Sequence, residues 1–253
     1  MKALQRENLS RDAIWAKNNA DSKRTEARLG IVLDFTLALE MTMTKPIKRE
    51  PRWPAFVAML AASGVYFALP EPLSVGPSWG LLGIIAILMI PIVISNRKGR
   101  YDISRILTLT ANVLITLAMI ASLIFLIQGI PKHAEAPKDL LRSASILWIT
   151  NVLVFALWYW KLDAGGPLGR DKTSDGLNSS FLFPQMLGQR EGGDTSWTPH
   201  FMDYLFLAFN TSTAFSPTDT AVLSRWAKVG MMLQSLISLT IVVLLAARAV
   251  NIL

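Results

Sequence analysis

The stretch Phe201-Met202-Asp203-Tyr204-Leu205-Phe206-Leu207-Ala208-Phe209-Asn210-Thr211-Ser212-Thr213-Ala214-Phe215-Ser216-Pro217-Thr218-Asp219-Thr220 decides how this chain reads. Its apolar part is shorter than the roughly 20 residues that a membrane-crossing helix needs, and it is too apolar for an ordinary loop. It runs out into Asn, Thr and Ser, then Pro217, then an acid. That is the pattern of a half-helix that enters a membrane and stops, since polar backbone persists at depth only where it is buried in protein or lines a cavity. A long apolar helix, Val229 to Leu253, follows closely.

The rest of the chain agrees with a membrane setting. Of 253 residues 52% are hydrophobic and 17% charged, and the mean hydropathy is +0.39. The apolar residues fall in blocks such as Trp79 to Ser95, Ile106 to Ile130 and Met231 to Ala247. At 1.5 Å per residue such blocks cover most or all of a hydrocarbon core about 30 Å thick. The net charge of +7 could point to nucleic acid, but the basic residues sit just outside apolar blocks. Lys45, Lys48, Arg49 and Arg52 precede the first, and Arg97, Lys98, Arg100 and Arg105 separate the second from the third. This is the positive-inside pattern of membrane topology, and neither finger spacing nor an aromatic-interleaved basic patch supports nucleic-acid binding. No cysteine is present, which excludes disulfides, thiolate metal sites and cysteine nucleophiles. With His133 and His200 the only histidines, a multi-histidine metal centre is excluded as well.

Taken in order, residues 1–52 read as a polar, solvated extension. Asp34 and Glu40 interrupt its apolar run Leu29 to Met43, which lacks a signal-peptide pattern. One reading has the working chain begin at Met41 or Met43. Residues 53–162 read as four spans: Trp53 to Leu69, Trp79 to Ser95, Ile106 to Ile130 and Leu140 to Leu162. The first has a small-residue face of Ala58, Ala62, Ser63 and Gly64 for close helix contact, with Trp53 and Tyr66 at interfacial depth. Asn112 in the third is expected to face other helices. Thr150 and Asn151 lie mid-way along the fourth, which ends in Trp158-Tyr159-Trp160-Lys161, an interfacial aromatic belt with a snorkelling cation. Residues 163–199 form a long polar loop. Within it, Gly165-Gly166-Pro167-Leu168-Gly169-Arg170-Asp171-Lys172-Thr173 resembles a phosphate-binding loop only superficially. Asp171 stands where its second glycine should be and no buried strand leads in, so the reading is a Gly-Pro turn. Residues 200–253 are the hairpin and the last helix.

Thr198 and Pro199 read as the cap and first-turn proline of a half-helix from His200 to Phe209, opening onto Asn210-Thr211-Ser212-Thr213. Those hydroxyls and amides, with Ser216, Thr218 and Asp219 and with Gln234 of the last helix, form the candidate lining of a polar cavity. A helix C-terminus adds partial negative charge there, which suits a monovalent cation. The bland alternative stays open: an interfacial turn, with Asp219 as the N-terminal cap of the final helix. His200 and Asp203 stand at helical spacing, as an acid–base pair or as a simple hydrogen bond. No nucleophile–base–orienter set is visible, so the chain does not read as an enzyme, and no cofactor is implied.

An apolar half-helix, a Thr-rich strand ending in an acid, a basic residue and a long helix together resemble the pore-helix, filter and inner-helix unit of potassium-type channels. Thr213 to Asp219 would then stand at the filter. The resemblance covers about the last fifth of the chain. Phe215, Ser216 and Pro217 replace the filter's glycines, so potassium selectivity is not implied. The whole chain is also similar to bacterial multi-pass inner-membrane proteins of no assigned activity that contain a segment like Phe209 to Asp219.

The expectation is therefore an all-α, polytopic transmembrane helix bundle of the cell inner (cytoplasmic) membrane, with about five spans plus a re-entrant or short sixth helix. Its N-terminus and its 163–199 loop would be cytoplasmic. A channel-like or transport-related role through residues 200–220 leads. The alternative is a non-transporting scaffold or accessory subunit that binds a partner through the loop. One chain supplies one hairpin, so a pore would require a homo-oligomer in the lipid bilayer.

Overall fold

The computed structural model describes residues 30, 52–129, 137–172, 179–190, 197–215 and 219–250. Apart from Gly30 these belong to the compact unit Arg49–Leu253. Almost all of the expected extension 1–52, much of the 131–139 connector, and Ser216, Pro217 and Thr218 lie outside the described residues.

The described residues are predominantly helical, and among them four helices are long and apolar enough to cross a membrane. Helix α1 (Trp53–Phe67) is followed by a short 3-10 turn (Glu71–Leu73), then α2 (Ser78–Arg97), α3 (Tyr101–Gly129) and α4 (Pro137–Leu162). A second 3-10 turn (Asp163–Gly165) leads to α5 (Pro167–Lys172), strand β1 (Phe181–Leu182), α6 (Pro184–Arg190), α7 (Phe201–Thr213), strand β2 (Ala221–Val222) and α8 (Arg225–Val250). The four long apolar helices are α2, α3, α4 and α8. At 15 residues α1 rises only about 22 Å, because Ala68 caps it and Pro70 prevents continuation. It is thus a shorter apolar helix than the span Trp53 to Leu69 expected from sequence.

The basic turn is also tighter than the expected Asn96 to Arg105. Helix α2 runs through Arg97 and α3 starts at Tyr101, so the reversal falls on Lys98-Gly99-Arg100. Gly99 makes it possible with φ +71°, a left-handed conformation that costs a residue without Cβ little. Pro91 is accommodated within α2 near its C-terminal end.

Helix α4 is the centre of the bundle. In its most apolar window 67% of the residues are buried, against 17% for α2 and 22% for α8, whose apolar faces are largely bare. Helices α1, α3, α7 and α8 all pack on α4. The basic end of the bundle is where α1 begins, α2 meets α3 and α4 finishes: Arg52 donates to Asn96 Oδ1 at 3.2 Å and its guanidinium lies 5.4 Å from the Tyr101 ring centre. At the opposite end Tyr66 is buried rather than interfacial. Its hydroxyl meets Ser122 Oγ at 2.9 Å and accepts from the Val75 N–H at 2.9 Å, tying the connector down. The expected aromatic belt is likewise inside. Tyr159 and Trp160 are buried between helices, and the Trp158 indole donates to Thr116 Oγ1 at 3.0 Å.

Candidate functional site

Helix α7 starts two residues later than the Thr198-Pro199 cap predicts. His200 is extended at the N-cap, and its backbone N–H donates to Asp203 Oδ2 at 2.7 Å. That bond gives Asp203 a capping role with favourable helix-dipole charge. From there one face, Phe201, Tyr204, Leu207, Ala208, Thr211 and Ser212, is buried against α4 and α8. The other face, Met202, Phe206, Phe209 and Thr213, is exposed. The helix does not stop at Phe209. Thr211 and Thr213 return their hydroxyls to the carbonyls of Leu207 and Phe209, at 2.8 and 2.9 Å, so these polar residues stay inside the helix. The chain turns at Phe215, whose φ of +53° is the left-handed conformation common just past a helix end.

Gln234, in the middle of α8 and fully buried, holds the tip of α7. Its amide donates to the Ala208 carbonyl at 2.7 Å and to Ser212 Oγ at 2.8 Å, while its oxygen accepts from the Tyr159 hydroxyl at 2.7 Å. One step along, Asn151 donates to the Gln234 carbonyl and to Ser238 Oγ, at 3.2 and 3.0 Å. Ser235 Oγ donates to the Thr211 carbonyl at 3.3 Å. Three helices are thus joined by amides and hydroxyls in an otherwise apolar interior. Two atoms of this region, Asn151 Oδ1 and Asn210 Nδ2, are buried with no hydrogen-bond partner.

The base of α7 is fixed by different chemistry. The buried Asp163 carboxylate, just past α4, accepts from Ser179 Oγ, from the Ser180 N–H and from the Tyr204 hydroxyl, the last at 2.6 Å. Arg170 reaches back to the carbonyls of Trp160 and Asp163, at 2.9 and 3.0 Å, and lies 5.0 Å from the Tyr204 ring centre. It thereby satisfies carbonyls left open at the end of α4. The Gly-rich turn serves this knot. A Cβ on Gly166 (φ +83°) would sit 2.7 Å from the Lys161 carbonyl oxygen, and one on Gly169 would collide with the Ala164 carbonyl. Around it Phe181 packs against Tyr159, Tyr204 and Trp226 at ring separations of 5.2 to 6.2 Å. β1 pairs with β2 in antiparallel register, Phe181 with Val222 and Leu182 with Ala221, and the Leu223 N–H donates to the Ser180 carbonyl at 2.8 Å.

These bonds trace the path of the hairpin. Tyr204, in the first turn of α7, and Leu223, just past β2, both attach to the Asp163–Ser180 knot, whereas Ser212 meets Gln234 in mid-α8. The chain therefore leaves one end of the bundle, goes part-way along it and comes back to the same end.

Of the residues singled out in the sequence, Ser212 and Gln234 touch directly, and Thr211 lies beside them through its backbone. Thr213 and Asp219 are exposed, and Asn210 is half-buried. Asp219 does not cap α8. That position falls to Ser224, whose Oγ accepts from the Ala227 N–H at 3.4 Å. Sequence reasoning missed Tyr159, Asp163 and Arg170. An acid directly after a long apolar run, with an arginine seven positions on, was the available signal. Comparison of the chain with protein-family models, with curated proteins and with solved structures gives no match.

Proposed function

We propose that the protein is a multi-pass protein of the cytoplasmic membrane with a channel-like or transport-related role, in which the hairpin from α7 to β2 is re-entrant and its tip borders a polar pathway. The single observation that carries this reading is the out-and-back course of the hairpin, with Ser212 on Gln234 at mid-bundle and its base on Asp163. Backbone and amides at such depth need shelter in protein or contact with a hydrated cavity. The partnerless Asn210 Nδ2 and Asn151 Oδ1 are the atoms a solute or water would engage. Thr213, at the exposed end of the bare face of α7, is the residue that would face a neighbouring copy in a symmetric homo-oligomer. Monovalent cations are the solute class that neutral amides and hydroxyls suit. The short α1 and the four long helices make up the spans.

Purified protein in liposomes tests this. Ion-dependent flux is expected, and it should fall in Asn210→Leu and Thr213→Val variants. No flux, or flux unchanged in both, removes the proposal. A second reading, a non-transporting scaffold that binds a partner through 163–199, is favoured by the bare Leu187 on α6, which is 48% exposed. Partner capture lost on Leu187→Ser, with the hairpin variants neutral, would select it.

A further inference from the structure

The basic end of the bundle holds a small, partly open cleft between the start of α1, the start of α3, the end of α4 and the Gly-Pro turn. Its polar wall carries Arg52, Arg105 and Lys161; its apolar wall is Ala55, Phe56 and Met59. Among the described residues no carboxylate pairs with Arg52, Arg105 or Lys161, and no carboxylate lines the cleft. Arg52 and Arg105 share this wall with Lys161, and both carry charge of its own sign. Arg170 is committed to the Trp160 and Asp163 carbonyls, which leaves the other three cations converging on the cleft. Topology alone asks for basic residues at this end, but it asks for them spread in water along the rim, as Lys98 and Arg100 are. Three cations from the starts of α1 and α3 and the end of α4 around one hollow is a different arrangement, and an anion between them would relieve their mutual repulsion. The N-termini of α1 and α3 add partial positive charge at the same place.

We propose that this cleft binds a phosphate-bearing anion, with Arg52, Arg105 and Lys161 on the phosphate oxygens. The apolar wall beneath the cations matches an acyl chain, so the headgroup of an anionic phospholipid is the source that uses both walls. Free phosphate would use the polar one alone. Basic pockets between membrane helices hold such headgroups by this combination of charge and depth.

The test uses the full-length protein in detergent, titrated separately with phosphatidylglycerol, phosphatidylcholine and inorganic phosphate, with bound lipid read by native mass spectrometry and phosphate by calorimetry. Phosphatidylglycerol is expected to bind at least tenfold tighter than phosphatidylcholine. Arg105→Gln should weaken it about fivefold, as should Arg52→Gln and Lys161→Gln, following the contribution of one interfacial cation. Arg105 is exposed, so its replacement leaves the core intact. Lys161→Arg should keep binding, and the rim control Arg97→Gln with Lys98→Gln should change it less than twofold. Inorganic phosphate that binds as tightly as the lipid, and loses affinity in the same variants, would keep the site and assign it to soluble phosphate. Equal binding of the two lipids with no phosphate binding, or equal losses in cleft and rim variants, overturns the proposal.

Discussion

Replacing Gln234 with leucine removes a side chain that ties α8 to both α4 and the tip of α7. Three hydrogen bonds go, to Tyr159, Ala208 and Ser212. Their loss is not uniform. The Ala208 carbonyl lies within α7 and Ser212 can turn its hydroxyl onto it, so that pair rearranges locally. The Tyr159 hydroxyl has no such option, since the residue is 1% exposed and its hydroxyl donates to Gln234. An orphaned buried hydroxyl costs about 1–3 kcal/mol, and each hydrogen bond between membrane helices contributes about 0.6 kcal/mol. Gln234→Leu should therefore destabilise by about 2–4 kcal/mol. Tyr159→Phe alone, which leaves the glutamine oxygen unused, should cost about 1 kcal/mol. The double variant removes the orphan, so its cost should fall short of the sum of the singles by about 1 kcal/mol. Reversible unfolding in mixed micelles, followed by tryptophan fluorescence over a denaturing-detergent titration, measures all three. A Gln234→Leu variant within about 0.5 kcal/mol of the parent, or strict additivity in the cycle, would refute the view that this glutamine fastens the tip.

The opposite sign is expected for Asn112→Leu in the same unfolding assay. Both polar atoms of Asn112 lack partners at 2% exposure, so an apolar residue of similar size should be neutral or stabilise by about 1 kcal/mol. Asp163→Asn exchanges a charged acceptor for a donor facing Tyr204 and Ser180, and should cost about 2 kcal/mol and loosen β1 from β2, read as faster amide exchange at Leu223. Gly169→Ala forces the 3-10 turn away from α5 and should cost about 1–3 kcal/mol, measured by thermal unfolding. The chain has no native cysteine, so His200→Cys and Asp219→Cys can be labelled singly in oriented vesicles. A membrane-impermeant maleimide should reach both from one side, and labelling from opposite sides would exclude the return of the hairpin.

What was legible in the sequence follows from how each feature is encoded. Long apolar blocks are a one-dimensional signal, and α2, α3, α4 and α8 lie close to where hydropathy puts them. The shortness of α7, 13 residues, was legible for the same reason. Its end was not, because Asn, Thr and Ser at 210–213 favour both caps and helix-internal back-bonding, and only packing on α8 decides between them. Tyr66, Tyr159 and Trp160 read as interfacial because an aromatic near a span end usually sits at the headgroups. Here neighbouring chain supplies partners for the tyrosine hydroxyls and encloses the rings, which no local pattern records. Asp163, Ser180 and Tyr204 meet across 41 residues of sequence, and a contact of that range has no periodicity to reveal it. Gln234 was identified as a polar residue in an apolar helix, but its partner Tyr159 was assigned to the membrane surface.

The two fastenings of the hairpin differ in kind, and under the transport proposal the difference divides the labour between them. The base is held by a buried carboxylate with three donors, an arginine on two carbonyls, a strand pair and a cluster of edge-on aromatic rings. The tip is tied by neutral side chains, Gln234 and Ser235, with the partnerless Asn210 Nδ2 and Asn151 Oδ1 nearby. Neutral amides exchange partners without a large desolvation penalty, whereas a buried carboxylate does not. Any change of state that a solute induces should therefore be confined to the tip, with β1 and β2 staying paired. Hydrogen exchange with and without the transported ion separates the cases: protection changing at Ala208–Thr213 but not at Leu223 fits a hinged tip on a fixed base. Changes at Leu223 of equal size would mean that the hairpin moves as one body, and the Asp163 knot would then be the hinge.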